Sequence, residues 1–565
     1  MASHKEIIQP PSTQATTGDI DVDKANVDKL HKNAIGLPGV LYFCLAGSAP
    51  ISAMLFNVPS MTAQAGAAAP LAFLLSGIGL MLLGVAIVYL SRRLTSAGGF
   101  YTWVRHSLGK RTAFQAGWLM LGGYALFEAA LLAAFGSYTN SSFATYLHVS
   151  LPGGWVAFAL IAGVLIFLLS YFDVKWSVYA MVPFLLLEVG VLVVLDIAIS
   201  VHGGATGHDL LHTFTIAGAN PIASGRHFIP TTLAPANDKL TAAPGGLLGV
   251  GVAMALGVQT WIGFEGGAVY GEEARNPRRA VPIAIFAVVA FLTLLYTWTS
   301  YSAVIGYGWT NVVSQFGNLS GNPTPYYPLA DTYVPGGLLK ALMIVSISTS
   351  SLACGLAFHN GMVRYFYAMG REGILPTVFG KTHPVYRSPY IATIAQSLFS
   401  ILLMIAFAFV IQKANADGSV SYALGIGDGK VYSQVDGIYP YTWLAITGTI
   451  AFLVVYIMVN TASPIFALRY ERRSFNLLTH IVAPVVSTLV LLLPLVSIIM
   501  PAIPGPLGSY FTNLGFAATP FPLNILPLLI IIWVIAGLIY STWLARTAPE
   551  RYESMGRIIR GDVDV

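Results

Sequence analysis

The sequence predicts an all-α membrane protein of twelve spanning helices, and three observations carry that prediction. Apolar residues make up 56% of the 565 positions and charged residues 9%, with a mean hydropathy of +0.71. That leaves too little charge to cover the surface of a water-soluble protein of this size. The apolar residues are gathered into runs of the roughly 20 that a helix needs to cross the hydrocarbon layer. Runs such as Leu185-Leu186-Leu187 and Leu528-Leu529-Ile530-Ile531-Ile532 lack the period-two alternation that a barrel strand shows over about 10 residues. Lipid offers no hydrogen bonds to backbone groups, so spans without that alternation are helices.

The remaining composition excludes other classes. A formal net charge of +5 is small, and no basic tract marks the chain for nucleic acid. Cys44 and Cys354 stand alone in apolar stretches, without metal-ligand spacing or a disulfide framework, and read as small buried hydrophobes.

Residues 1–36 are polar and lack the apolar core of a signal peptide; they are expected to form a cytoplasmic tail without fixed structure. The spans follow at 37–60, 70–91, 113–137, 154–172, 174–200, 247–271, 281–307, 337–368, 390–412, 441–468, 479–501 and 522–545. Gly47, Pro50 and Pro59 interrupt the first, and the fourth is short and close to the fifth. Long connections at 201–246, 308–336 and 413–440 are rich in Gly, Pro, Asn, Ser and Tyr and read as external loops; the acceptor pattern Asn318-Leu319-Ser320 falls in the second. With the N-terminus inside, only Arg226, Lys239, Lys340, Lys413 and Lys430 face outward, leaving 24 of the 29 Lys and Arg on the inner side. An odd helix count would mix the two sets, so the split supports both the count and the orientation, with 546–565 a second cytoplasmic tail.

Two spans carry the strongest chemical signals. The first holds Ala46-Gly47-Ser48-Ala49-Pro50 in mid-membrane, and the sixth holds Trp261-Ile262-Gly263-Phe264-Glu265-Gly266-Gly267. Gly and Pro at mid-span disfavour continuous helix. A break frees backbone groups that protein, water or a ligand must satisfy. Half-helix N-termini suit a carboxylate, and half-helix C-termini and unwound carbonyls suit an ammonium or a cation. The interruptions lie five helices apart, at corresponding places in spans 1–5 and 6–10, which points to an inverted-repeat transporter. The blander alternative is Gly-mediated helix packing or a Pro kink.

The sixth span runs into Gly271-Glu272-Glu273-Ala274-Arg275-Asn276-Pro277-Arg278-Arg279-Ala280-Val281-Pro282. Together with Gly263-Phe264-Glu265 this stretch resembles the signature of the amino acid–polyamine–organocation (APC) superfamily of permeases. Gly98-Gly99-Phe100-Tyr101-Thr102-Trp103 leading to Leu108-Gly109, and Arg364-Tyr365-Phe366-Tyr367-Ala368-Met369-Gly370-Arg371-Glu372-Gly373-Ile374-Leu375-Pro376, match it further. The resemblance implies a LeuT-like fold. Repeat 1 would occupy 37–200 and repeat 2 would occupy 247–468, with two extra helices at 469–545 and a location in the plasma (inner) membrane. It implies a substrate site between the broken first and sixth helices. There Ala46, Gly47, Ser48 and Ala49 would offer backbone donors to a carboxylate, while Trp261, Ile262 and Gly263 would offer carbonyls to an ammonium. Trp261 or Phe264 would gate the site. The first-helix motif here runs Gly-Ser-Ala-Pro, and its Pro removes one N–H donor.

Buried acids are the candidates for ion coupling. Glu128, Glu188, Asp196 and Glu265 sit among apolar neighbours, where a charge costs at least about 2.5–3.5 kcal/mol and needs a partner or a proton. Glu188 and Glu128 are the proton-coupling candidates, and Glu265 is read as bracing the broken sixth helix. Thr349, Ser350 and Ser351 offer a possible Na⁺ site of hard oxygen ligands, the alternative being hydroxyls bonded within the bundle. Glu272, Glu273, Arg275 and Arg278 are read as an inner-gate charge network, against a solvated loop obeying the positive-inside rule. Arg364 and Glu372 invite the same pair of readings.

No His-Glu-x-x-His, Gly-x-Ser-x-Gly or P-loop is present, and His148, His359 and His480 are placed towards helix ends, so an enzyme is not expected and no cofactor is implied. The reading that results is a secondary transporter for amino acids driven by H⁺ or Na⁺ or working by exchange. A polyamine or amine transporter of the same fold and a non-transporting solute sensor are the alternatives.

Overall fold

A computed structural model of the chain describes residues 30, 33–149, 151–172, 174–219, 222–224, 241–243, 246–317, 324–407, 412–414, 420–422, 438–513 and 525–556. Most of the N-terminal tail, most of the third long loop and the Asn318-Leu319-Ser320 pattern lie outside them. Among the described residues the regular structure is helical apart from two antiparallel ladders of three residue pairs, Ile222–Ser224 with Thr241–Ala243 and Gln412–Ala414 with Val420–Tyr422, and a single bridge between Ile35 and Ala274.

Fourteen helices matter for the site. They are α1 (Leu37–Ser48), α2 (Pro50–Ala65), α3 (Ala69–Ser91), α4 (Phe100–Leu108), α5 (Lys110–Ser142), α6 (Gly154–Tyr171), α7 (Val174–His202), α8 (Gly246–Trp261), α9 (Pro277–Tyr307), α10 (Leu338–Arg371), α11 (Tyr390–Ala406), α12 (Ile438–Tyr470), α13 (Ala483–Ile499) and α14 (Leu526–Thr547). Among the described residues, nine stretches are long and apolar enough to cross a membrane. The difference from twelve has a local cause. The run Leu37–Ser91 counts once although it holds α1, α2 and α3, while α8 stops at 16 residues and α11 at 17. α4 was not legible as a span because its nine residues carry Arg105 and His106; Gly109, at φ 89, separates it from α5.

Long helices pack pairwise around a buried core. α3 lies on α9 and α13, α5 on α10, α12 and α6, and α8 on α2 and α3. α14 leans on α5 and α12 through Trp118 and Trp533, whose rings stack 4.4 Å apart. Each indole N–H donates to the other residue's carbonyl, at 2.9 and 3.0 Å. This satisfies two polar groups on an otherwise apolar helix. Leu186, Leu294, Leu398 and Ile539 are exposed at the bundle's rim, a placement that costs nothing when the neighbouring solvent is hydrocarbon.

At the end of the bundle where Ile35 and Met555 lie, polar ties replace apolar packing. Arg275 N–H donates to the Ile35 carbonyl at 2.8 Å, and Ile35 N–H to the Glu273 carbonyl at 3.2 Å. Met555 is fully buried, and its carbonyl accepts from Arg105 Nε at 2.9 Å. Arg93 pairs with Glu471 just beyond α12, and Tyr89 adds its hydroxyl to the same carboxylate at 3.2 Å. The Arg93 hydrogen bond holds the Glu471 carboxyl below its usual range. A depressed carboxyl stabilises the fold above its unfolded value, about 4.3. That contribution is lost as pH falls through the lower folded value. The thermal midpoint of wild type should therefore exceed that of Glu471→Gln at neutral pH, and the gap should close in acid. A gap that persists at the acid end contradicts the ion pair.

Candidate functional site: two facing helix breaks

The site is built where two helices stop. α1 ends at Ser48, Ala49 takes the left-handed conformation (φ 42, ψ 66), and Pro50 opens α2. Pro suits a first helical position because its missing N–H has no partner to lose. α8 ends at Trp261, and Gly263 (φ 112) leads into a 3₁₀ segment, Phe264–Tyr270. The two breaks touch. A Cβ built on Gly47 would stand 2.7 Å from the Gly263 carbonyl oxygen and 3.0 Å from its Cα.

Polar groups freed by the breaks are shared between the two. Ser48 Oγ donates to the Trp261 carbonyl at 3.1 Å. Tyr296 on α9 donates to the Ser48 carbonyl at 2.8 Å and stands 3.3 Å from that of Thr260. Cys354 Sγ on α10 lies 3.0 Å from the Gly47 carbonyl. Glu265 Oε2 accepts from Gly263 N–H at 3.0 Å and Tyr456 Oη at 2.8 Å, and its Oε1 accepts from Tyr124 at 3.2 Å. Its carboxylate thus ties the second break to α5 and α12.

The distribution of donors departs from expectation. Ala46, Gly47 and Ser48 form the last turn of α1, so it is their carbonyls that lack helical partners, while Ala49 N–H turns back to the Ala46 carbonyl at 3.1 Å. Free donors begin one turn further on, at the start of α2. There Ile51 N–H donates to Glu188 Oε2 at 3.2 Å. Trp261, Ile262, Phe264 and Glu188 are all buried, and Trp261 packs edge-on to Tyr296 with centroids 4.9 Å apart.

The three hydroxyls of α10 do not converge, because consecutive helical residues face different ways. Ser350 lies against Glu188. Ser351 bonds the Ile347 carbonyl at 2.9 Å and lies 3.0 Å from Ser52 Oγ on α2. Thr349 bonds its own helix at Val345 and Ser346.

Glu128 stands apart from the breaks. It faces His359 on α10, with Oε1 3.0 Å from Nδ1, and takes a bond from Gln396 on α11. His359 is fully buried within α10, not near a helix end as the sequence suggested. No local pattern signals this pair, since its members come from separate helices.

At the end of the bundle near Ile35 and Met555, the acids of the expected gate find partners on α10 and not within their own loop. Arg364 grips Glu273 in a two-pronged bond of 2.6 and 3.0 Å and lies over the Tyr270 ring at 4.0 Å. Arg371 grips Glu272 at 2.6 and 3.0 Å. Glu372 accepts from Tyr101 Oη and Gly556 N–H, both at 2.7 Å. Arg275 Nε reaches the Asn33 carbonyl at 3.1 Å, and Arg278 is exposed.

Comparison with known proteins finds transporters. The chain is 26% identical over 337 residues to the methylthioribose transporter of Bacillus subtilis, covering 58% of this chain and 64% of that protein. It is 25% identical over 367 residues to the low-affinity putrescine importer PlaP of Escherichia coli, covering 65% and 73%. It is 24% identical over 392 residues to the aspartate-proton symporter of Bacillus subtilis, covering 66% and 68%. The chain thus spans just under two thirds of the length of the first of these. The amino acid permease family model matches residues 39–549. Helices long and apolar enough for several membrane crossings and a family match over most of its length make this chain a multi-pass membrane protein and a member of the amino acid permease family.

Proposed function

We propose that this permease is a secondary active transporter of amino acids that works by alternating access, with its solute held between the breaks of α1–α2 and α8. Twelve spans arranged as two inverted five-helix repeats plus two further helices, in the plasma (inner) membrane with both termini cytoplasmic, complete the reading. The observation that carries it is the contact between the breaks. Opposed backbone ends, four carbonyls and the α2 donors, meet in one buried place, and two half-helices that part there can exchange their mutual bonds for bonds to a zwitterion. H⁺ is the favoured coupling ion, with Glu188 and Glu128 as its candidates, because Thr349, Ser350 and Ser351 diverge and do not assemble an Na⁺ cage. Arg364, Arg371, Glu272 and Glu273 form the inner gate in this reading.

A second reading is favoured by one observation. Glu188 is a buried acid at the break, which suits the ammonium of a solute without a carboxylate, and one relative is a putrescine importer. Counterflow in proteoliposomes loaded in turn with alanine, leucine, arginine, aspartate and putrescine separates the two. Saturable exchange of amino acids is the expected result. Exchange of putrescine alone supports the second reading, and the absence of any exchange defeats both.

A further inference from the structure

The donors at the start of α2 are already occupied by a carboxylate of the protein's own. Glu188 reaches from α7 to the first N–H that α2 can offer, Ile51, because Pro50 has none. Helix N-termini favour negative charge through their unpaired N–H groups and their dipole. The carboxylate is fully buried, and the groups that face it are all neutral. They are Tyr42 from α1, Tyr296 from α9, and Ser350 and Cys354 from α10. Among the described residues no Lys, Arg or His lies within ion-pair distance of Glu188. The α2 terminus is therefore its principal source of positive potential.

We propose that Glu188 is a built-in stand-in for the solute's carboxylate. In the empty site it holds the N-terminus of α2, and it yields that position to an incoming zwitterion only by taking up a proton. This rests on the amino-acid reading above. Two carboxylates cannot share one set of N–H donors in a buried site, because their mutual repulsion is barely screened there. The exchange balances without further groups. A proton from the aqueous cleft joins a Glu188 carboxylate oxygen, the Ile51 N–H bond passes to the solute's carboxylate, and the solute's ammonium takes carbonyls freed as the breaks part. The buried site keeps one carboxylate throughout, so each zwitterion enters with one H⁺ and carries one net positive charge. An amine without a carboxylate has the opposite need: it requires Glu188 ionised.

The test is binding with proton counting on purified wild type in weakly buffered solution, using alanine, leucine and putrescine as probes and a pH dye as readout. In a medium more alkaline than the Glu188 titration, binding of an amino acid should take up one proton. Its apparent affinity should weaken about tenfold per pH unit once the medium is more alkaline than the Glu188 titration. Glu188→Gln, which carries a permanently neutral side chain, should bind the amino acid without proton uptake and with an affinity that no longer varies with pH. Asp196→Asn serves as control. It alters another buried acid of α7, bonded to Thr299 at 2.5 Å, and should keep the wild-type slope. Because proton counting is done on wild type, a Glu188→Gln protein that fails to fold leaves the test intact. Amino-acid binding that takes up no proton and keeps one affinity across the alkaline range overturns this inference alone. If only putrescine binds, the amino-acid reading falls and the stand-in role with it.

Discussion

Gly263→Ala should abolish exchange and lower the thermal midpoint, and it should do so more severely than Gly47→Ala, its counterpart across the two breaks. Two costs coincide at that position. The backbone φ of 112 is one that L-residues rarely adopt, and such strain costs about 1–3 kcal/mol by itself. The added Cβ would also run into the backbone of Gly47, which has no side chain to swing aside. Gly47→Ala suffers only the second cost. Its helical conformation is ordinary, but its Cβ would stand 2.7 Å from the Gly263 carbonyl oxygen. Gly190→Ala, in α7 with open space around its Cβ, meets neither cost and gains up to about 1 kcal/mol of helix propensity. The expected order of damage is Gly263, then Gly47, with Gly190 neutral or slightly stabilising. Counterflow rates and thermal midpoints of the three variants check it. A Gly263→Ala protein that exchanges at the wild-type rate shows that the two breaks do not touch.

The breaks were legible because Gly and Pro act locally: Gly263 and Pro50 announce where regular helix must stop whatever surrounds them. The polarity of the first break was not. It turns on whether the chain leaves helix before or after Gly47, and it leaves after Ser48, at an Ala whose left-handed conformation no propensity favours. One turn of difference exchanges carbonyls for N–H groups, and so moves the free donors from Ala46–Ala49 to the start of α2, where Ile51 N–H meets Glu188. Glu128 was legible as an acid in lipid, but its partner His359 was not, since composition and spacing are silent on which helices become neighbours. The same silence hid the partners of the loop after the second break. The loop Glu272–Arg279 contains both signs of charge and appeared self-sufficient, yet its acids are matched by Arg364 and Arg371, one helix and one long loop away.

Breaking the Arg364–Glu273 pair by replacing one member should destabilise the protein by about 3–5 kcal/mol, and replacing both should cost less than replacing either. Both side chains are almost wholly buried, so a lone survivor would keep its charge without water or a partner. Arg364→Met leaves the Glu273 carboxylate in that position. Glu273→Gln leaves the guanidinium with the Asn360 carbonyl at 2.9 Å and the Tyr270 ring, neither of which carries a formal charge. The double change to Met at both positions removes the orphan and supplies apolar volume, so thermal midpoints should rank wild type first, the double variant second and the single variants last. A position effect beyond stability is expected too. Glu273 also receives Ile35 N–H at its carbonyl, so the pair ties α10 to the segment just before α1, and in the proposed reading it closes that end of the bundle. Cys44, buried on α1 between that closure and the break, reports on it. In Glu273→Gln a thiol reagent should label Cys44 faster than in wild type, and with Arg371–Glu272 still in place the rate should stay below that of a protein lacking both pairs. Single variants as stable as wild type, with unchanged Cys44 labelling, show that the resting protein does not hold this gate shut.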